Sequence, residues 1–131
     1  MTTSTMPSAP DARDGGLLAW QWAHYRGGHV DRTNLAIHAI SNPLFLIGSI
    51  LPVLAIAGGW WLAPIGLALM IVAIAAQGRG HRREPTAPIP FRGAGDVVAR
   101  LFVEQWVTFP RFVLSGGFAQ AWRGMAPPVR A

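Results

Sequence analysis

All four histidines of the 131-residue chain stand near the ends of one charge-free stretch. Arg32 and Arg79 bound 46 residues that contain no Asp, Glu, Lys or Arg. His24 and His29 precede the stretch, and His38 lies just inside it. His81 follows it, with Glu84 three residues further on. Imidazoles with a carboxylate suit Fe(II), Zn(II) or Mn(II). An open coordination position would add oxygen or water chemistry. The chain has no cysteine, which excludes disulfides and thiolate metal sites. Asn34 and His38 are four apart and share one helix face. His29 lies nine residues before His38, across a short turn containing Asp31. These side chains make a site only if the chain brings its two ends together.

The elements that would do so follow from the length of the stretch. As one helix it would run about 69 Å at about 1.5 Å per residue. That is more than twice the roughly 30 Å hydrocarbon core of a bilayer. A membrane hairpin resolves the mismatch. Its spans are expected over about residues 33–57 and 60–77, with Gly58-Gly59 as the turn and Trp60 and Trp61 at the far interface. Asp31 or Thr33 would cap the first span. Pro43 and Pro52 would kink it, which membrane helices tolerate. The hairpin returns His29, His38, His81 and Glu84 to one level. Composition agrees, with 13% charged residues against about 25% in a typical soluble domain.

The flanks complete an all-α integral membrane protein with a single domain over residues 17–123. Residues 1–16 read as a disordered tail and 124–131 as a second tail. No apolar run sits at the N-terminus behind positive charge, so a signal peptide is not expected. Residues 17–28 form an aromatic interfacial helix that carries His24 and ends at Gly27-Gly28. Residues 84–95 are proline-rich. Residues 96–123 are expected to supply further interfacial amphipathic helices, broken or kinked at Pro110. There Asp96, Arg100 and Glu104 repeat at four-residue spacing as a charged ridge.

The net charge of +5 comes from arginine alone among the basic residues. It points to anionic headgroups rather than to nucleic acid. The turn carries no positive charge, and the open ends carry Arg26, Arg32, Arg79, Arg82, Arg83 and Arg92. By the positive-inside rule, a multi-pass protein results with both termini cytoplasmic.

Each candidate also has a plainer reading. His24 beside aromatic residues suits an interfacial histidine, and His29 a solvated loop. His38 could be a hydrogen-bonded structural histidine, although a titratable group facing membrane interior usually has a function. His81, within an arginine-rich run, suits a headgroup contact, and Glu84 could merely neutralise those arginines. Glu104 reads as a member of the salt ladder. A bis-histidine haem site is disfavoured, because the second span contains no histidine to face His38. The competing function is a non-catalytic membrane protein that binds lipid or a protein partner.

Two segments carry a family resemblance. Tyr25 stands four residues before His29, and HVDRTNLAIH (29–38) is followed by Pro43. This resembles the Y-x3-H-x4-N-x3-H pattern of the Mpo1-like family (DUF962). QGRGHRREPTAP (77–88) resembles that family's second block, a Gly-His pair followed by Glu and Pro. The similarity covers about residues 20–115. It implies an Fe(II)-dependent dioxygenase that uses O2 to shorten 2-hydroxy fatty acids by one carbon through α-oxidation. His29, His38 and His81 match the motif histidines, the supposed iron ligands, and Glu84 matches the acidic position. Tyr25 belongs to the same motif. On this reading Asn34 orients a ligand, and Arg82 or Arg83 lies near the carboxylate of a long-chain substrate whose tail stays in the bilayer.

Overall fold

The computed structural model describes residues 12–125. The tails expected at 1–16 and 124–131 therefore lie mostly outside the described residues. Among the described residues every regular element is helical. Helix α1 is Gly16–Tyr25, followed by a tight helical turn at Arg26–Gly28. The long hairpin is α2, Arg32–Ala55, and α3, Leu62–His81. Helix α4, Ala94–Val103, runs through a π-helical segment, Glu104–Thr108, into α5, Phe109–Leu114. Helix α6, Gly117–Trp122, closes the described chain.

Local chemistry sets these boundaries. Asp31 caps α2, its side chain accepting from the Asn34 backbone N–H at 2.8 Å. Pro43 and Pro52 lie inside α2. The turn requires Gly58, whose φ of 120° is costly for any side chain. Helix α3 runs past residue 77, so the glycines at 78 and 80 do not end it. His81 is therefore helical and rigidly placed. Pro110 falls at the start of α5, where it does not interrupt the helical run that began at Ala94.

Helices α2 and α3 approach closely where small residues face one another. A Cβ on Gly66 would come within 2.5 Å of the Gly48 carbonyl oxygen, and one on Gly48 within 2.7 Å of the Gly66 oxygen. Such contacts between small residues let backbones pack without intervening side chains.

The distribution of polarity is inverted. The buried face of α2 carries Asn34, His38, Ser41 and Asn42, together with Leu35, Phe45 and Gly48. The outer faces of the hairpin carry Ile40, Ile47, Val53, Ile71 and Val72, all well exposed. A buried amide network joins the elements. Asn42 Nδ2 donates to Gln105 Oε1 at 3.0 Å, and Gln105 and Gln77 exchange two hydrogen bonds at 2.7 and 3.0 Å. Gln77 also donates to Ser41, and Thr108 donates to Gln21. Both hairpin helices are long and apolar enough to cross a membrane, with mean hydropathy 1.7 and 1.6 over their best windows. Only 28% and 17% of those windows are buried, whereas the core helix of a water-soluble domain would be mostly buried.

Candidate metal centre

The site is assembled at the open end of the hairpin. Helix α2 begins there and α3 ends there, which brings His38 and His81 together from opposite ends of the charge-free stretch. The tight turn after α1 delivers His29 between them. The three imidazole rings form a near-equilateral cluster. Their centroids are 4.8 Å apart for His29–His38, 4.8 Å for His29–His81 and 4.9 Å for His38–His81. Each pair of rings is close to perpendicular, at 80° to 87°.

The carboxylate of the cluster is Glu104. Its Oε1 lies 3.3 Å from His38 Nε2 and 3.7 Å from His29 Nε2. One ligand atom from each of His29, His38, His81 and Glu104 falls in a group spanning no more than 4.8 Å. Ligands about 2 Å from a shared ion stand roughly 3–4 Å apart, so small side-chain rotations would complete a shell.

Tautomers decide what the cluster can hold. His29 Nδ1 lies 2.7 Å from the Tyr25 carbonyl oxygen, and His38 Nδ1 lies 3.0 Å from that of Asn34. A carbonyl can only accept, so each Nδ1 carries the proton. In the neutral ring, Nε2 is then a bare lone pair. Both Nε2 atoms are buried without a hydrogen-bond partner. They face a carboxylate oxygen, which is also an acceptor. Lone pairs converging in a buried space are costly unless a cation or proton lies among them. Three nitrogen donors and one oxygen donor suit a divalent transition metal such as Fe(II), Zn(II) or Mn(II).

Tyr25 serves this arrangement three times. Its carbonyl fixes the His29 tautomer, its ring stacks on His29 at 3.8 Å and 18°, and its hydroxyl donates to Glu104 Oε1 at 3.0 Å. Burial raises the Tyr25 pKa well above 10, and the Glu104 charge and hydrogen bond raise it further. For Glu104, burial acts to raise the pKa. Positive charge on the His29 and His38 rings, with N–H at Nε2, outweighs it and holds the carboxyl well below the ordinary range; a cation placed among the same donors acts in the same direction.

The remaining sequence candidates fall elsewhere. Glu84 is not one of the four clustered donors. Its two oxygens accept from the backbone N–H groups of Val30 and Asp31 at 3.0 to 3.2 Å, and Oε1 accepts from Asn34 Nδ2 at 2.7 Å. Glu84 thus ties the end of α3 to the chain that leads from His29 into α2. Asn34 orients His38 through its backbone carbonyl, while its side chain holds Glu84. Arg82 is exposed, and Arg83 is exposed with its Nε 3.4 Å from Asp31 Oδ1. His24, also exposed, bonds the Trp20 carbonyl through Nδ1 at 2.8 Å.

Glu104 is the donor that the four-residue ridge disguised. Asp96 and Arg100 do stand 3.8 Å apart. Glu104 instead turns to the histidines from the first residue of the π-helical segment. Single π turns recur at functional sites. A carboxylate within the apolar run LFVEQWVTF (101–109) was the available signal, since a charge carried into an apolar environment needs a partner.

The cluster forms one wall of a cavity of about 510 Å³. His29, His81 and Glu104 line it beside Tyr25, and the proline-rich segment around Pro88 closes another side. No family model, curated protein or solved structure matches this chain.

Proposed function

We propose that this chain is a membrane-embedded, Mpo1-like, Fe(II)-dependent dioxygenase that acts on 2-hydroxy fatty acids and shortens them by one carbon. The observation that carries the metal is the convergence of two buried, donor-free imidazole nitrogens on the Glu104 carboxylate. The motif resemblance around Tyr25, His29, Asn34, His38 and His81 supplies the reaction.

The membrane part of this reading rests on the inverted polarity of the hairpin. Exposed side chains such as Val53 and Val72 suit lipid, while the amide network satisfies itself inside. The arginine bias puts both termini on the cytoplasmic side. The site then lies at the cytoplasmic interface, with Trp60 and Trp61 at the other.

Iron bound here would supply oxygen activation and a Lewis acid beside the substrate head. The protein's own residues do the rest. His29, His38 and His81 present neutral nitrogens, and Glu104 balances one of the metal's charges. Tyr25 and the Asn34 carbonyl fix ligand orientation. The cavity is within the range of about 300–1,000 Å³ that encloses small organic ligands.

The test is turnover by purified, anaerobically iron-loaded protein given 2-hydroxyhexadecanoate and then oxygen. Pentadecanoate, with one CO2 released, one water formed and one O2 consumed for each substrate, is the expected result. Metal binding without turnover would sink the oxygenase and favour a binding role for the site.

A further inference from the structure

The cavity has a second charged wall that the metal cluster does not use. Arg100 lies one helical turn before Glu104 on the same helical run and lines the same space. Its guanidinium lies against two aromatic rings, 4.9 Å from the Trp20 centroid and 4.3 Å from that of Phe91. Nη1 donates to the carbonyl oxygens of Ile89 and Pro90, at 3.0 and 3.2 Å. Nε is buried and has no hydrogen-bond partner.

The acidic residue beside Arg100 is shared with a second arginine. Asp96 Oδ1 stands 2.6 Å from Arg13 and Oδ2 stands 3.8 Å from Arg100, so the closer pairing is to Arg13. Two arginines therefore share one aspartate. Among the described residues that line the cavity Arg100 is the one guanidinium, its side chain 12% exposed, with Glu104 on the next turn, the carboxylate the metal cluster takes up, acting on it as well. The Trp20 and Phe91 rings steady that charge without cancelling it. A ring-stacked guanidinium keeps its edge N–H groups, which pair with a carboxylate.

We infer that Arg100 is the anion anchor of this cavity, and that the ligand it selects is a carboxylate-headed, long-chain amphiphile. The inference deepens the substrate assignment above. It also moves the carboxylate contact from the exposed Arg82 and Arg83 to a residue that lines the cavity. The chain would enter from lipid, and the head would stop between Arg100 and the histidine cluster. An alcohol or ester of equal length offers the same apolar burial and no charge.

Arg100 also braces the proline-rich segment through Ile89 and Pro90, so its loss could loosen the cavity for any ligand. The experiment separates the two roles by ligand class. Binding of radiolabelled hexadecanoate, hexadecanol and methyl hexadecanoate is measured on the full chain in nanodiscs of zwitterionic lipid, corrected for empty discs. It is run with chelator, then with added Fe(II) under anaerobic conditions. In chelator, wild-type protein should prefer the carboxylate to both neutral ligands by about tenfold or more, the scale of one charged hydrogen bond. Arg100→Gln should erase that preference while leaving the neutral ligands unchanged, and Arg100→Lys should restore part of it.

Equal binding of all three ligands by wild-type protein overturns the anchor, whether or not the variant folds. An equal loss of all three in Arg100→Gln also overturns it and leaves the brace as the whole role of Arg100. Fe(II) binding is scored separately. Carboxylate preference without metal binding refutes the oxygenase and keeps the anchor, and metal binding without preference does the reverse.

Discussion

His38 Nε2 lies 3.3 Å from Glu104 Oε1, and with Nδ1 protonated neither atom has a proton to offer the other. The contact joins the middle of one helical run to the start of another, 66 residues away by number. The same pattern at His29 and the nearby His81 ring make it a donor cluster rather than one awkward pair.

Tyr25 should be a measurable reporter of this cluster. It is the chain's sole tyrosine, so near-ultraviolet tyrosinate absorbance reads it alone. Burial first, and Glu104 second, raise its pKa above 10. Folded, metal-free protein should stay unionised as pH rises past 10, while unfolded chain ionises near it. The folded state holds the proton longer, so the associated stability is complete below pH 10 and is lost as pH rises above it. Glu104→Gln should lower the midpoint but leave it above 10, because burial remains. A midpoint at 10 in folded protein would contradict the buried Tyr25–Glu104 contact.

Replacing Tyr25 by Phe keeps the ring against His29 and removes the bond to Glu104. Metal affinity should fall by about 10–100-fold, the usual cost of losing a group that supports a ligand. Isothermal titration with Zn(II) or anaerobic Fe(II) reads this directly. Unchanged affinity would show that Glu104 needs no such support.

The hairpin contact should be intolerant of a single methyl group. Gly66→Ala would press a Cβ against the Gly48 carbonyl oxygen, which is backbone and cannot swing away. A loss of about 1–3 kcal/mol is expected from overpacking. Gly78→Ala meets nothing within 4 Å and serves as the control. Equal melting temperatures for the two variants would mean that the helices do not meet as described.

Much of this was legible in the sequence. The charge-free stretch, the central glycines and a cap at Asp31 or Thr33 marked out the hairpin nearly to its ends, because length and capping are local properties. The convergence of His29, His38 and His81 followed from a hairpin that returns to one level. The fourth donor did not. Glu84 and Glu104 are both glutamates near arginines, and only tertiary packing decides which turns inward. Glu84 is taken up by three N–H donors around Val30, Asp31 and Asn34. The π-helical segment that aims Glu104 has no sequence signature. The amide network was likewise hidden, since Gln77 and Gln105 find each other only across packed helices.

Membrane insertion has a test of its own. Ile71 and Val72 lie near the middle of α3 and are 57% and 58% exposed. If that face meets lipid, Val72→Arg should disfavour insertion of α3 by about 2.5–3.5 kcal/mol. A glycosylation-mapping assay in microsomes reads the shift. On a water-exposed surface the same change would be nearly neutral, and full retention of topology and expression would contradict the lipid-facing assignment.

The central claim is that His29, His38, His81 and Glu104 hold one metal ion. The direct measurement is Fe(II) stoichiometry and affinity for anaerobically prepared protein, comparing wild type with His38→Ala, His81→Ala, Glu104→Gln and Glu84→Gln. Wild type should bind one ion per chain. The two histidine variants and Glu104→Gln should lose more affinity than the roughly 10–100-fold that a supporting residue costs. Glu84→Gln, which keeps an acceptor oxygen for the Val30 and Asp31 N–H groups, should still bind. No metal bound by the wild-type chain, or binding lost in Glu84→Gln and kept in Glu104→Gln, would contradict the account.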